Sequence, residues 1–108
     1  MDGSRSYWSA SHALVESGAG IGDGPAIWDY TQVRSTARIG RDCTVGRNVY
    51  IDASVILGDR CKVQNNALIY GPACLGNGVF IGPGAILTND RFPRAITPLG
   101  LKKGTEDW

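Results

Sequence analysis

A single histidine stands in this 108-residue chain, which rules out a zinc centre built from three imidazoles. Cysteine is nearly as scarce. Three residues, Cys43, Cys61 and Cys74, make an odd number with no metal-ligand spacing, so neither a disulfide scaffold nor a metal site is expected. No apolar run approaches the length of a membrane span. Met1 to Ser11 lacks the apolar core of a secretory leader. Charge of one sign is also missing: 11 basic residues face 10 acidic ones, for a net +1 and a pI near 7.7. Without a basic run there is no footprint for nucleic acid or a membrane surface. A cytoplasmic single domain is expected, near the small end for a self-sufficient core, so self-association would help it.

What the chain has instead is a period of six. Stepping by six from Val15 gives Ile21, Ile27, Val33, Ile39, Val45, Ile51, Leu57, Val63, Ile69, Leu75, Ile81 and Leu87, all aliphatic. Ile, Leu and Val make up about a fifth of the chain, so such a run arises by chance with odds of order one in a billion. Two residues before each lies a compact one: Ala13, Ala19, Pro25, Thr31, Ala37, Cys43, Val49, Val55, Cys61, Ala67, Ala73, Val79 and Ala85. Inward positions two apart are a strand signature, because strand side chains alternate faces. The remaining residues of each hexad form a turn, at slots that hold Gly24, Asp42, Asn48, Asn66, Gly78 and Gly84, types that tolerate positive φ. A strand and a bend every six residues make a solenoid that buries a one-dimensional core.

The slot after each aliphatic sorts at a lag of eighteen. One set is Gly22, Gly40, Gly58 and Gly76; another is Trp28, Gly46, Gln64 and Gly82; the third, Glu16, Arg34, Asp52, Tyr70 and Thr88, has no glycine. Three sides per coil follow, with coils about 4.8 Å apart as parallel strands. The expected organisation is an arm over residues 1–12, a triangular all-β solenoid of about four coils over 13–90, and an extended loop or tail over 91–108, where Pro93 and Pro98 end the pattern.

On the side without glycine, the slots before the aliphatics read Leu14, Gln32, Tyr50, Leu68 and Ile86, an apolar stripe beside a polar column. Such a stripe reads as a subunit interface, and a prism using one side for contact closes most simply as a homotrimer. Cys43 and Cys61 fall in the compact inward register and read as packing. Cys74 points outward with no cationic neighbour in sequence. His12 reads as an edge residue at the mouth of the first coil, and Trp28 reads first as surface packing, with cover for a neighbouring subunit or a stack on a ligand as the alternatives. In Val63-Gln64-Asn65-Asn66, Gly46 and Gly82 leave room beside Gln64; Asn66 serves its own turn, whereas Gln64 and Asn65 are candidates for ligand contact. Arg91 and Arg94, in the loop thrown off the scaffold, suit phosphate or carboxylate.

Ile27-Trp28, Lys62-Val63-Gln64-Asn65-Asn66 with Tyr70 following, Phe80-Ile81-Gly82-Pro83, and Thr88-Asn89-Asp90 with Pro93-Arg94 resemble the left-handed β-helix, or hexapeptide-repeat, acyltransferases. Within them they are similar to the N-acetyltransferases of nucleotide-linked 3-amino sugars. That resemblance implies a left-handed parallel β-helix, a homotrimer, and acetyl transfer from acetyl-CoA to a UDP- or dTDP-linked amino sugar in a cleft between subunits, without a metal. It implies Asn89 as the catalytic position, and Gln64, Asn65, Tyr70, Asp90 and Arg94 as substrate contacts. Two departures stand out. Asp29 and Gln32 occupy places where the family often carries histidine, and the family continues past the loop with further coils that form much of the acetyl-CoA groove. The chain therefore resembles the front portion of such an enzyme. The alternative is a non-catalytic trimeric scaffold or sugar-nucleotide binding module. An ice-binding solenoid would need a regular outward threonine ladder, which Thr31, Thr36, Thr44 and Thr88 do not form.

Overall fold

The computed structural model describes residues 6–108. It is all-β: parallel two-residue strands stack into a solenoid of about four turns, measuring 57 × 28 × 26 Å with its tail. Three sheets form its sides. Sheet A stacks Trp8–Ser9, Ala26–Ile27, Thr44–Val45, Lys62–Val63 and Phe80–Ile81. Sheet B stacks Leu14–Val15, Gln32–Val33, Tyr50–Ile51, Leu68–Ile69 and Ile86–Leu87. Sheet C stacks Gly20–Ile21, Arg38–Ile39, Ile56–Leu57 and Cys74–Leu75. Every pairing within the sheets is parallel with a register of eighteen residues, as in Lys62 on Phe80 and Leu68 on Ile86.

The aliphatic register forms the core. From Ile21 to Ile69 all its members are buried, with Ile27, Val33, Val45 and Ile51 fully closed. Burial in a solenoid depends on coils above and below. Leu75, Ile81 and Leu87, in the last coil, are therefore only partly covered, although their sequence pattern is unchanged. In the compact register Cys43 and Cys61 are buried, and their thiols donate to the Gly58 and Gly76 carbonyls at 3.1 and 3.2 Å. Burial raises the Cys43 pKa, which keeps that thiol protonated and inert. Thr31 does the same in its slot, donating to the Gly46 carbonyl at 2.6 Å and accepting from the Val49 amide at 3.0 Å.

Each bend is made by one residue at positive φ. The six turn residues read from the sequence all adopt it, and so do Gly18, Tyr30, Thr36, Ser54 and Arg60, at the same step of six. Tyr30, Thr36 and Arg60 carry no sequence mark of this, because the stacked coils impose a conformation that bulky side chains disfavour. Pro72, whose ring fixes φ negative, breaks the series, and the Gly71–Pro72 bond is cis. The glycine column facing sheet C has a steric cause: a Cβ on Gly40 or Gly58 would lie 2.6 Å from the backbone of the next coil.

Residues 8–12, where the sequence shows no period, already belong to the stack. Trp8–Ser9 pairs with Ala26–Ile27, and Ala10 is buried. The loose arm expected there is thus anchored from Trp8 onward, and its first five residues lie outside the described range. Beyond Leu87 the described residues form no further coil. Ile96 bridges Lys102 antiparallel, and Thr105–Asp107 form a 3₁₀ turn. No helix among the described residues is long and apolar enough to cross a membrane.

Candidate functional site

The expected site residues collect on two different edges of the prism, the two that flank sheet B. Tyr70, Asn89 and Asp90 lie on the edge between sheets B and C; Gln64 and Asn65 lie on the edge between A and B. Arg94 joins neither. It is exposed in the tail and lines a recess of about 260 Å³ with Phe92, Ile96 and Lys103.

A chain of hydrogen bonds runs along the B–C edge. Glu16 accepts from Gln32 Nε2 at 2.8 Å and from the Ser35 amide at 2.8 Å, and pairs with Arg34 Nε at 3.0 Å. Arg34 Nη1 donates to the Tyr50 hydroxyl at 2.9 Å, and that hydroxyl donates to Asp52 Oδ1 at 3.0 Å. Asp52 Oδ2 then accepts the Gly71 amide at 3.0 Å, while the Gly71 carbonyl accepts from Asn89 Nδ2 at 2.8 Å. Glu16, Arg34 and Asp52 of the polar column thus join Gln32 and Tyr50 of the neighbouring stripe in a continuous brace ending at Asn89. Its charges respond accordingly. The Ser35 amide, Gln32 and Arg34 hold the Glu16 carboxyl below its usual range; the Tyr50 hydroxyl and Glu16 raise Arg34; burial pushes the Tyr50 phenol up, against the opposing pull of Arg34.

Since a carbonyl can only accept, the bond to Gly71 fixes the Asn89 amide with Nδ2 toward Gly71. Its Oδ1 and second N–H have no protein partner among the described residues. Asn89 lines a mostly apolar recess of about 320 Å³ with Tyr70, Thr88, Asp90, Pro93 and Trp108. Tyr70 is half-buried against Tyr50, with ring centroids 5.4 Å apart. Asp90 is engaged elsewhere: it accepts from Lys103 Nζ at 2.8 Å and from the Phe92 amide at 3.0 Å, and Lys103 holds its carboxyl below the ordinary aspartate range. Lys103 also donates to the Phe92 carbonyl at 2.9 Å, so this pair clamps the tail onto the last coil. Nothing in the spacing of Asp90 and Lys103 signals the clamp, because the turn of the tail brings them together.

The A–B edge is built differently. Asn65 Oδ1 accepts the Arg47 amide at 3.0 Å, and Asn48 Nδ2 donates to Asn66 Oδ1 at 2.8 Å, so these amides stitch successive coils. Gly46 serves this stitching and leaves no room of its own: a Cβ there would meet Asn65 Oδ1 and, at 2.9 Å, the Asn65 backbone nitrogen. Beside Gly82, by contrast, a Cβ would meet no described atom within 4 Å. The Gln64 side chain makes no hydrogen bond among the described residues. It lines an open recess of about 400 Å³ with Trp28, Asp29, Tyr30, Arg47 and Asn65, among others. Tyr30 stands out in the sequence only as an unusual member of its coil, with no role attached, and Arg47 not at all; their signal was a ring and a cation one coil apart on the same edge. His12 stacks on Tyr30 at 5.2 Å, with Nδ1 3.5 Å from Asp29, which fits its reading as an edge residue.

Comparison with known proteins agrees with this architecture. Residues 36–70 match the family described as the hexapeptide repeat of succinyl-transferase, and residues 54–89 match the bacterial transferase hexapeptide of six repeats. The chain is 39% identical over 92 residues to the bifunctional protein GlmU of Acaryochloris marina, covering 84% of this chain and 20% of that protein. It is 33% identical over 89 residues to the GlmU of Geotalea uraniireducens, covering 78% of this chain and 19% of that protein. Over 77 residues it is 36% identical to the acyl-(acyl-carrier-protein):UDP-N-acetylglucosamine O-acyltransferase of Brucella ovis, covering 62% of this chain and 28% of that protein. The chain thus spans about a fifth to just over a quarter of the length of these relatives. By period, by fold and by relatives, the solenoid of this chain is similar to that of the hexapeptide-repeat transferases, whose repeat it matches over residues 36–89.

Proposed function

We propose that this chain supplies the acceptor side of an N-acetyltransferase, in which the amine of a UDP- or dTDP-linked amino sugar, a 3-amino sugar in particular, takes an acetyl group from acetyl-CoA. The observation that carries this reading is the fixed amide of Asn89, braced through Gly71 and Asp52, with Oδ1 and one N–H directed to no protein partner. The relative that acts on UDP-N-acetylglucosamine supports a nucleotide-sugar acceptor and an acyl donor.

In this account the neutral amine attacks the thioester carbonyl carbon. The C–N bond forms, the C–S bond breaks, and the proton shed by the amine ends on the departing thiolate. Oδ1 of Asn89 accepts an N–H of the amine and aims its lone pair, and the free Nδ2–H is a donor for the oxygen that gains charge. Tyr70 offers an apolar wall, and Gln64 and Asn65 offer amide groups to the sugar or nucleotide. Asp90 keeps the loop that carries Asn89 in place, and Arg94 offers a charge to an anionic group. Because the amide edge and the Asn89 edge flank sheet B, one active site takes one edge from each of two subunits of a homotrimer packed on sheet B. Leu14 and Ile86, both more than half exposed on that face, supply apolar surface for the contact.

The test is release of CoA from acetyl-CoA in the presence of UDP- and dTDP-linked 3-amino sugars, with the assembly state measured in the same sample. Amine-dependent CoA release by a trimer is expected. Nucleotide-sugar binding by an intact trimer with no acetyl transfer would overturn the enzymatic reading and leave a non-catalytic binding module.

A further inference from the structure

We propose that the recess on the A–B edge is a subsite for a nucleoside diphosphate, with the base on Trp28 and the phosphates on Arg47. This deepens the acceptor reading above and rests on it only for the source of the nucleotide.

The site is the open recess that Trp28, Tyr30, Arg47 and Gln64 line around the turn at Gly46, where Asn65 forms the floor. Trp28, Gly46 and Gln64 occupy one column at successive coils, so the side chains of Trp28 and Gln64 stand about 9.6 Å apart along the axis, at about 4.8 Å per coil. The exposed face of the indole takes one planar ring, and the Gln64 amide, farther along the same recess, is placed to meet the edge of that ring. The indole is supported from behind: Trp8, on the strand below, meets Trp28 edge-on with centroids 4.8 Å apart, while Trp28 remains 47% exposed. Ring-on-indole stacking is favourable for any base, and the Gln64 amide, without a protein partner among the described residues, can both donate and accept at a base edge.

The anion half rests on Arg47. Its guanidinium lies 5.7 Å from the Tyr30 ring centroid, held over the recess, and has no carboxylate partner among the described residues. Asp29 lines the same recess and opposes an anion, but it accepts the His12 amide at 3.2 Å and lies 3.5 Å from His12 Nδ1, on the side of the arm. A second recess of about 490 Å³ continues past Tyr30 and Arg47 to Asn48, Asn65 and Asn66, giving a phosphate chain amide-lined room. A neutral planar ligand would leave Arg47 unused, and a simple anion would leave the indole unused; a nucleotide engages both. Two sources share this chemistry, the nucleotide of a nucleotide sugar and the adenine nucleotide end of CoA.

The test is calorimetric titration of the full chain with UDP, ADP and uridine. Saturable UDP or ADP binding is expected, weakened roughly 10-fold or more by Trp28→Ala and much less by Trp28→Phe. Arg47→Met should weaken the diphosphates roughly 10-fold and leave uridine unchanged. Phe80→Ala, an exposed ring elsewhere on sheet A, serves as the control and should change nothing. UDP above ADP assigns the site to the sugar nucleotide; ADP above UDP assigns it to CoA. No saturable binding of either diphosphate, or binding indifferent to both Trp28→Ala and Arg47→Met with unchanged melting temperatures, would overturn the subsite. The outcome is separable from the acetyl-transfer reading: diphosphate binding lost in Trp28→Ala without any turnover by the parent chain keeps the subsite and rejects the enzyme. Undiminished turnover and unchanged KM for the nucleotide sugar and for acetyl-CoA in both variants does the reverse.

Discussion

The two edges that flank sheet B share one backbone and one period and both stitch polar side chains from coil to coil, yet only one leaves a group of large side chains uncommitted. On the B–C edge, Glu16, Arg34, Tyr50, Asp52 and Gly71 are bonded in series and end on Asn89. On the A–B edge, Trp28, Gln64 and Arg47 carry side chains that no polar protein group engages among the described residues. The first arrangement fixes a single amide to a single orientation, as a group must be fixed to act on a transition state. The second leaves hydrogen-bonding capacity and ring surface uncommitted, as binding a ligand requires. A repeat protein can hold both because each coil fixes only the backbone and leaves the outward slots to be chosen independently.

Leu68→Asp strikes the face between the edges and should have the largest effect. Half-buried on sheet B, Leu68 would place a charge in the proposed subunit contact. Trimer should give way to monomer or aggregate, and acetyl transfer should fall more than about 100-fold, because each site loses one of its edges. An unchanged mass by light scattering would remove sheet B from the interface.

Asn89→Ala tests the braced edge directly. A drop in kcat of about 10- to 100-fold with little change in KM is expected if the amide acts on the transition state. Asp52→Ala, which frees the Gly71 amide, should give a smaller fall in the same parameter.

Gly46→Ala and Gly82→Ala compare two turns of the A–B edge. The first forces a Cβ against Asn65 and should cost about 1–3 kcal/mol of stability; the second meets open space and should be near neutral. Equal melting temperatures for the two would show that the coils do not pack as described.

The smallest effect concerns pH. Glu16 and Asp90 both have lowered carboxyl pKa values in the folded state. Their contribution is fully present above the ordinary carboxylate values of about 4 and is lost as pH falls through the lowered ones. A melting temperature that declines in this acid range is expected, with Lys103→Met removing the share due to Asp90 and speeding proteolysis of residues 91–108 at neutral pH.

The fold was legible because it is written in one number. The step of six placed the aliphatic core, the compact register and six of the bends, and the lag of eighteen gave the three sides. It did not mark Tyr30, Thr36, Ser54 and Arg60 as left-handed residues, nor Trp8–Ser9 as a strand, because tertiary stacking imposes those conformations against local preference. The site was legible in part. Asn89, Gln64 and Tyr70 could be named from short phrases, but a linear reading does not show that Asn89 and Gln64 stand on different edges. Nor does it show that Asp90 is occupied by Lys103, a pairing thirteen residues apart made by the fold of the tail.

The central claim, that one site is completed by edges from two subunits, is tested most directly by mixing two impaired variants. Gln64→Ala damages the A–B edge and Asn89→Ala the B–C edge. Unfolded together in equal amounts and reassembled, they should regain about a quarter of the parent acetyl-transfer activity, because about one interface in four then pairs two intact edges. No recovery, in mixtures shown to contain hybrid trimers, would mean that both edges must be intact within one chain, and the composite site would be wrong.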